Sequence, residues 1–203
     1  ISLTINSGGV LRCMGNCPEI NAAAGGMATN PYGVGSTLVL STLTIDAGGS
    51  LNADGQGFLY GPGYYTNAVY TAGFVAGGYG GLAGMGTGKT YGSVSNITAL
   101  GSGSIYRGGG AIRLIVADTL TVNGTISCNA EGSGNFLGGS GGSLWIDCQT
   151  LQGSGSISAN GSSPGATTAN GGSGGRIQLV YTSKEATNPV DNNRVTAFGG
   201  ATN

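Results

Sequence analysis

The chain has 203 residues, of which 44 are glycine and only 5 proline, and no Gly-X-Y period runs through it, which excludes a collagen triple helix. Apolar residues make up 39% and recur in alternating runs of Val, Ile and Leu, which excludes a chain too polar to bury a core, so one folded domain is expected over 1–203. Charged residues make up 7%, against roughly 25% in an ordinary soluble domain, and the net charge is −1. Such a surface does not attract polyphosphate, so nucleic acid is not an expected partner, whereas association of like molecules is.

The chain opens with Leu3-Thr-Ile-Asn-Ser-Gly-Gly-Val-Leu-Arg-Cys-Met-Gly15, which reads as strand, glycine turn, strand. Ile1 enters this pattern without a basic leader, and no apolar run nears the ~18 residues of a membrane-spanning helix. The chain therefore reads as a mature, processed segment without a membrane span. Leu43-Thr-Ile-Asp-Ala-Gly-Gly-Ser-Leu-Asn-Ala-Asp-Gly55 repeats the opening stretch position for position. Shorter copies begin at Leu120 (Leu120-Thr-Val-Asn-Gly-Thr-Ile-Ser-Cys-Asn129) and Leu151 (Leu151-Gln-Gly-Ser-Gly-Ser-Ile-Ser-Ala-Asn-Gly161). Before most copies stands a further alternating stretch, Leu38-Val-Leu40, Ile112-Arg-Leu114 or Leu144-Trp-Ile146, and Ile177-Gln-Leu179 follows the last. One unit is then about three strands.

Period two within each strand sends Leu43, Ile45, Leu51 and Ala53 to one side and Thr44, Ser50, Asn52 and Asp54 to the other. A unit of this size cannot bury an apolar face alone, but units stacked in register make a continuous core. Leu3, Leu43, Leu120 and Leu151 should form one ladder, and Leu11, Leu51, Ile126 and Ile157 a second, with glycines at positive φ in the turns. The expected fold is all-β: a right-handed β-solenoid (parallel β-helix) or a related stacked β-sandwich.

Residues 55–110 break the spacing and hold seven of the nine tyrosines, Tyr60, Tyr64, Tyr65, Tyr70, Tyr79, Tyr91 and Tyr106. A structureless stretch of that length is unusual inside a compact domain, so it should be ordered against the solenoid wall or a neighbouring subunit. Tyr60, Tyr64, Tyr65, Tyr70 and Tyr79 are candidates for an interface or for stacking on sugars, the alternative being packing within their own subunit. The same insert contains Ala83-Gly-Met-Gly-Thr-Gly-Lys-Thr90, a loose match to a phosphate-binding loop. That chemistry needs a strand before the loop and a helix after it, and neither is readable in Gly77-Gly-Tyr-Gly-Gly81 or Tyr91-Gly-Ser-Val-Ser95.

The chain has no histidine, hence no Ser-His-Asp triad and no usual general base. The carboxylates Asp46, Asp54, Asp118, Glu131 and Asp147, with Arg107 or Arg113, are the remaining catalytic candidates. Asp46 and Asp54 align with Asn123 and with Asn129 or Asn160 at the turns, which favours a turn role. The expectation is a protein without catalytic residues, cofactor or metal. Zinc is disfavoured because Cys13, Cys17, Cys128 and Cys148 form no pair of knuckles. Two disulfides, Cys13 to Cys17 and Cys128 to Cys148, are expected because local loops close most easily, with four reduced thiols as the alternative. Sequons at Asn96, Asn123 and Asn160 mark candidate N-glycosylation sites, although a Ser/Thr/Asn-rich chain matches the pattern once or twice by chance.

The stretches Gly108-Gly-Gly-Ala-Ile-Arg-Leu-Ile-Val, Gly138-Gly-Ser-Gly-Gly-Ser-Leu-Trp-Ile and Gly171-Gly-Ser-Gly-Gly-Arg-Ile-Gln-Leu, with the copies at Leu120 and Leu151, resemble the glycine-rich repeats of large secreted surface proteins of bacteria and some protists, over about residues 35–181. The resemblance implies an extracellular, β-rich, non-catalytic module. Those repeats usually carry Ala where Cys13 and Cys128 stand, so the cysteines are a departure. The expected function is a structural subunit of an extracellular, N-glycosylated filament or surface layer, built head to tail from copies of itself. The alternative is a carbohydrate-binding or adhesive module.

Overall fold

The computed structural model describes residues 1–16, 32–63, 76–84, 88–104, 106–132, 137–165 and 170–201. Among these the chain is all-β. It forms β1 (Ser2–Ile5), β2 (Val10–Arg12), β3 (Ser36–Leu40), β4 (Thr42–Ile45), β5 (Ser50–Asn52), β6 (Ala111–Val122), β7 (Thr125–Ser127), β8 (Ser143–Gln152), β9 (Ser156–Ser158), β10 (Arg176–Lys184) and β11 (Val195–Thr196). They build two sheets, β1-β4-β6-β8-β10 with β3 also on β6, and β11-β9-β7-β5-β2. Every strand pairing is parallel. No helix of the described residues is long and apolar enough to cross a membrane.

The registers pair the residues that alignment of the copies superposes. Leu3 lies beside Leu43, Leu43 beside Leu120 and Leu120 beside Leu151. Leu11, Leu51, Ile126 and Ile157 run the same way in the second sheet. Their side chains fill the space between the sheets, where Leu43, Leu51, Leu120, Ile126, Leu151 and Ile157 are wholly buried. Cross-strand partners of one chemical type on one face are the unit of sheet stability, and a one-residue slip would turn every row outward.

The three-strand unit holds for β3, β4 and β5 and is corrected in the later passes. In β6 and β8 the preceding alternating stretch and the first strand of the copy join into one long strand, and β10 is likewise long, although no copy follows Ile177-Gln-Leu179. The join holds a bulge in β6 between Val116 and Thr119. Val116 and Leu120 on β6 face inward four residues apart, whereas Cys148 and Leu151 on β8 do so three apart, so the extra residue of the bulge keeps the phase of β6 while that of β8 shifts. Leu38 pairs with Leu114, not Ile112, a shift of two residues that leaves the inward face unchanged.

The expected role of glycine is also corrected. Gly8 (φ 77) and Gly48 (φ 84) do sit in tight turns, closed by Gly9 N–H to the Asn6 carbonyl and Gly49 N–H to the Asp46 carbonyl, both at 2.8 Å. Most other glycines have ordinary φ and are needed for close approach. Segments around 57, 77, 101, 108–110, 138–142 and 171–175 pack side by side and exchange backbone hydrogen bonds, such as Gly109 N–H to the Ser140 carbonyl (2.9 Å) and Gly141 N–H to the Ser173 carbonyl (3.0 Å). A Cβ on Gly57 would lie 2.5 Å from the carbonyl oxygens of both Gly101 and Gly109. Buried Ser102, Ser140, Ser143 and Ser173 tie this backbone layer together. Ser140 Oγ, for example, accepts the Ser102 N–H at 2.8 Å. No buried side-chain polar atom of the described residues lacks a partner. The described parts of 55–110 belong to this layer, with Gly77 N–H donated to Gly138 and Gly80 N–H to Gly174.

Candidate functional site

Neither sheet is covered at its ends by a further strand among the described residues. Among the described residues β1, β3 and β2 at one end, and β10 and β11 at the other, pair with one strand each. Leu3, Leu11, Leu38 and Leu40 at the first end and Ile177, Leu179 and Val195 at the second are only partly covered, although they continue the buried rows. In the interior strands β4 to β9 the exposed side chains are Arg113, Ala117, Asp118, Asp147 and Gln149. Among the large exposed apolar groups of the described residues, Ile1, Val10, Met14 and Val39 stand at the first end and Val180 and Phe198 at the second, while Tyr32, Val34, Leu59, Tyr60, Leu82 and Val94 lie in the connecting segments.

A polar column joins the successive passes. Asp54 Oδ1 accepts the Asn129 N–H, Asn129 Oδ1 accepts the Asn160 N–H at 2.8 Å, and Asn160 Oδ1 accepts the Phe198 N–H at 2.8 Å. Asp54 also takes the Ser127 hydroxyl at 2.9 Å, so this carboxylate is engaged as a turn acceptor. In the aligned copies Met14 stands where Asp54 does, and Phe198 supplies the last N–H of the column, so an apolar residue takes the column position at either end. No group of three metal-ligating side chains occurs among the described residues.

The sequons differ in setting. Asn96 and Asn123 are exposed, and Asn123 Oδ1 accepts the Ser154 N–H at 3.2 Å. Asn160 is half-buried within the column.

The cysteine pairing expected between Cys128 and Cys148 is not formed. Both are free, buried thiols, as is Cys13, while Cys17 lies outside the described residues. Cys128 follows β7 in a row of small side chains, with Ala53 N–H on Ser127, its own N–H on Ser158 and Ala159 N–H on Thr196. Cys148 sits in another sheet, between Val116 and Tyr181. Each fills its row as a small apolar group. Burial pushes the Cys148 thiol up to about 11, with the Asp147 charge adding to it, and raises Cys128 well above its ordinary value, with Asp54 adding. Burial likewise raises Cys13.

Tyr79 is corrected as a surface candidate. It is 0% exposed, its hydroxyl meets Ser143 Oγ at 2.6 Å, its ring packs 4.9 Å from that of Tyr91, and the Arg176 guanidinium covers it at 4.5 Å. Tyr60 is exposed, and Tyr64, Tyr65 and Tyr70 lie outside the described residues. The aromatic residue that sequence reasoning passed over is Trp145. It pairs with Arg113 on one side and Gln178 on the other, and the Arg113 guanidinium lies 4.3 Å above its ring. The signal was present in the outward middle positions of Ile112-Arg-Leu114 and Leu144-Trp-Ile146. With this geometry in hand, comparison with known proteins found no matching family model, curated protein or solved structure.

Proposed function

We propose that the chain is a right-handed β-solenoid and the structural subunit of an extracellular, N-glycosylated filament, in which copies join end to end. The observation that carries this reading is how the strands differ. Interior strands expose polar residues and one alanine, and the terminal passes expose Val10, Met14, Val39, Val180 and Phe198 beside edges that no described strand covers and open core rows. An end of that kind is covered by adding another parallel strand in the same rows, which a second copy of this chain supplies. Near-zero net charge puts little repulsion in the way. The sequons Asn96 and Asn123 are exposed, as glycan attachment requires. With Cys13, Cys128 and Cys148 buried and no histidine in the chain, the reading is a non-catalytic one.

The test is sedimentation and negative-stain electron microscopy over a concentration series. Fibres one molecule wide are expected. A monodisperse monomer at the highest concentration would overturn the reading.

A further inference from the structure

Beside the outer face of the first sheet lies a cleft of about 160 Å³ whose walls include Ser36, Thr37, Ile97, Thr98 and Arg113. Thr98 is the third residue of the Asn96 sequon. That loop is held firmly. Arg176 donates to the Tyr91 carbonyl at 2.6 Å and to the Ser93 carbonyl at 3.4 Å, Ser93 Oγ accepts the Asn96 N–H at 3.0 Å, and Ile97 is 97% covered at 3% exposure. Asn96 is exposed and directly precedes Ile97 and Thr98, which line the cleft.

The cleft offers hydroxyls from Thr37 and Thr98, guanidinium donors from Arg113 and an apolar wall from Ile97, while the Ser36 hydroxyl is donated to the Met14 carbonyl. That combination suits a sugar ring, which presents acceptors and donors at its rim and C–H groups on its face. Thr37, Arg113, Trp145 and Gln178 form one outward row, and Arg113 rests on the Trp145 ring. A group bound by Arg113 is thus one contact away from Trp145.

We propose that the innermost sugar of a glycan on Asn96 seats in this cleft against Thr37, Thr98 and Arg113. The seat rests on the reading that Asn96 is glycosylated and names where that glycan lies. It makes the glycan part of the side wall and shields the Arg113–Trp145 stack.

Trp145 is the single tryptophan of the chain, so its fluorescence reports on this site alone. The chain is produced in a eukaryotic secretory host, occupancy of Asn96, Asn123 and Asn160 is read from glycopeptide masses, and acrylamide quenching of Trp145 is compared before and after enzymatic trimming of the folded protein. The expected result is a rise in quenching on trimming, reproduced by Asn96→Gln and absent in Asn123→Gln. Arg113→Ala in the glycosylated chain should reduce the difference. An occupied Asn96 whose removal leaves quenching unchanged overturns the seat while leaving the glycoprotein reading intact. An unoccupied Asn96 overturns the seat, and three unoccupied sequons overturn the glycosylation reading as well. Fibre formation, scored on the same samples, is independent of each outcome.

Discussion

Asn129 Oδ1 accepts the backbone N–H of Asn160 at 2.8 Å, from one pass of the chain to the next. Both residues are half-buried, so the N–H has little water to turn to if the acceptor goes. Removing it with Asn129→Ala should lower stability by about 1–3 kcal/mol, the cost of an unsatisfied partly buried donor. Asn129→Asp keeps an acceptor, as Asp54 does one pass below, and should lose much less. Denaturant midpoints of the two variants check the ordering. Equal losses would mean that the column carries no specific hydrogen-bond energy.

Glycines in the backbone layer should separate sharply from those at the surface. A methyl on Gly142 would overlap the Gly110 carbonyl oxygen, which belongs to main chain and has no rotamer to yield. Gly142→Ala should cost at least about 2 kcal/mol by overpacking and is expected to reduce the folded yield. Gly132→Ala meets nothing within 4 Å and should be neutral or mildly stabilising. Thermal unfolding of both variants decides the matter. Similar midpoints would contradict the close packing of these segments.

The two halves of the molecule were unequally legible in the sequence for a physical reason. Leu3, Leu43, Leu120 and Leu151 were readable as one row because side chains carry the period of a strand and the copies align without ambiguity. The bulge after Val116 was hidden, since one extra residue inside a long strand leaves no glycine or proline to mark it. The layer of glycine segments was hidden more deeply, because glycine has no side chain with which to signal a face. Its positions read as turns, when what they supply is room for another backbone. Tyr79 was misjudged for the same reason: its burial depends on Ser143 and Ser173, 64 and 94 residues further along.

Thiol chemistry should follow the burial of the cysteines. With Cys148 raised from 9.0 to about 11, the folded chain holds this proton more tightly than the unfolded chain does. Its contribution to stability is therefore complete below pH 9 and is lost as the pH rises through about 11. In the native protein Cys13, Cys128 and Cys148 should resist thiol reagents at neutral pH, since the thiolate is the reactive form, and label fully on unfolding, as peptide mapping would show. Cys148→Val, which copies Val116 of the same row, should flatten the alkaline fall in the unfolding midpoint. An unchanged alkaline profile in that variant would assign the fall to other groups.

End-to-end growth requires the Val10 end of one copy to meet the Val180 end of another, which is a head-to-tail joint and does not close on itself. Val10 and Val180 are 65% and 45% exposed, so Val10→Glu and Val180→Glu should each change stability by less than about 0.5 kcal/mol. Each blocks one end, and neither variant alone should form fibres. Mixed, they have one sound joint between them, the free Val180 end of the first against the free Val10 end of the second. The mixture should therefore stop at pairs, which sedimentation resolves from monomers and from fibres. A joint between like ends would behave differently: each variant would pair with itself through its intact end, and mixing would add nothing. Self-pairing of the separate variants would thus replace the open head-to-tail filament by a closed, two-fold joint.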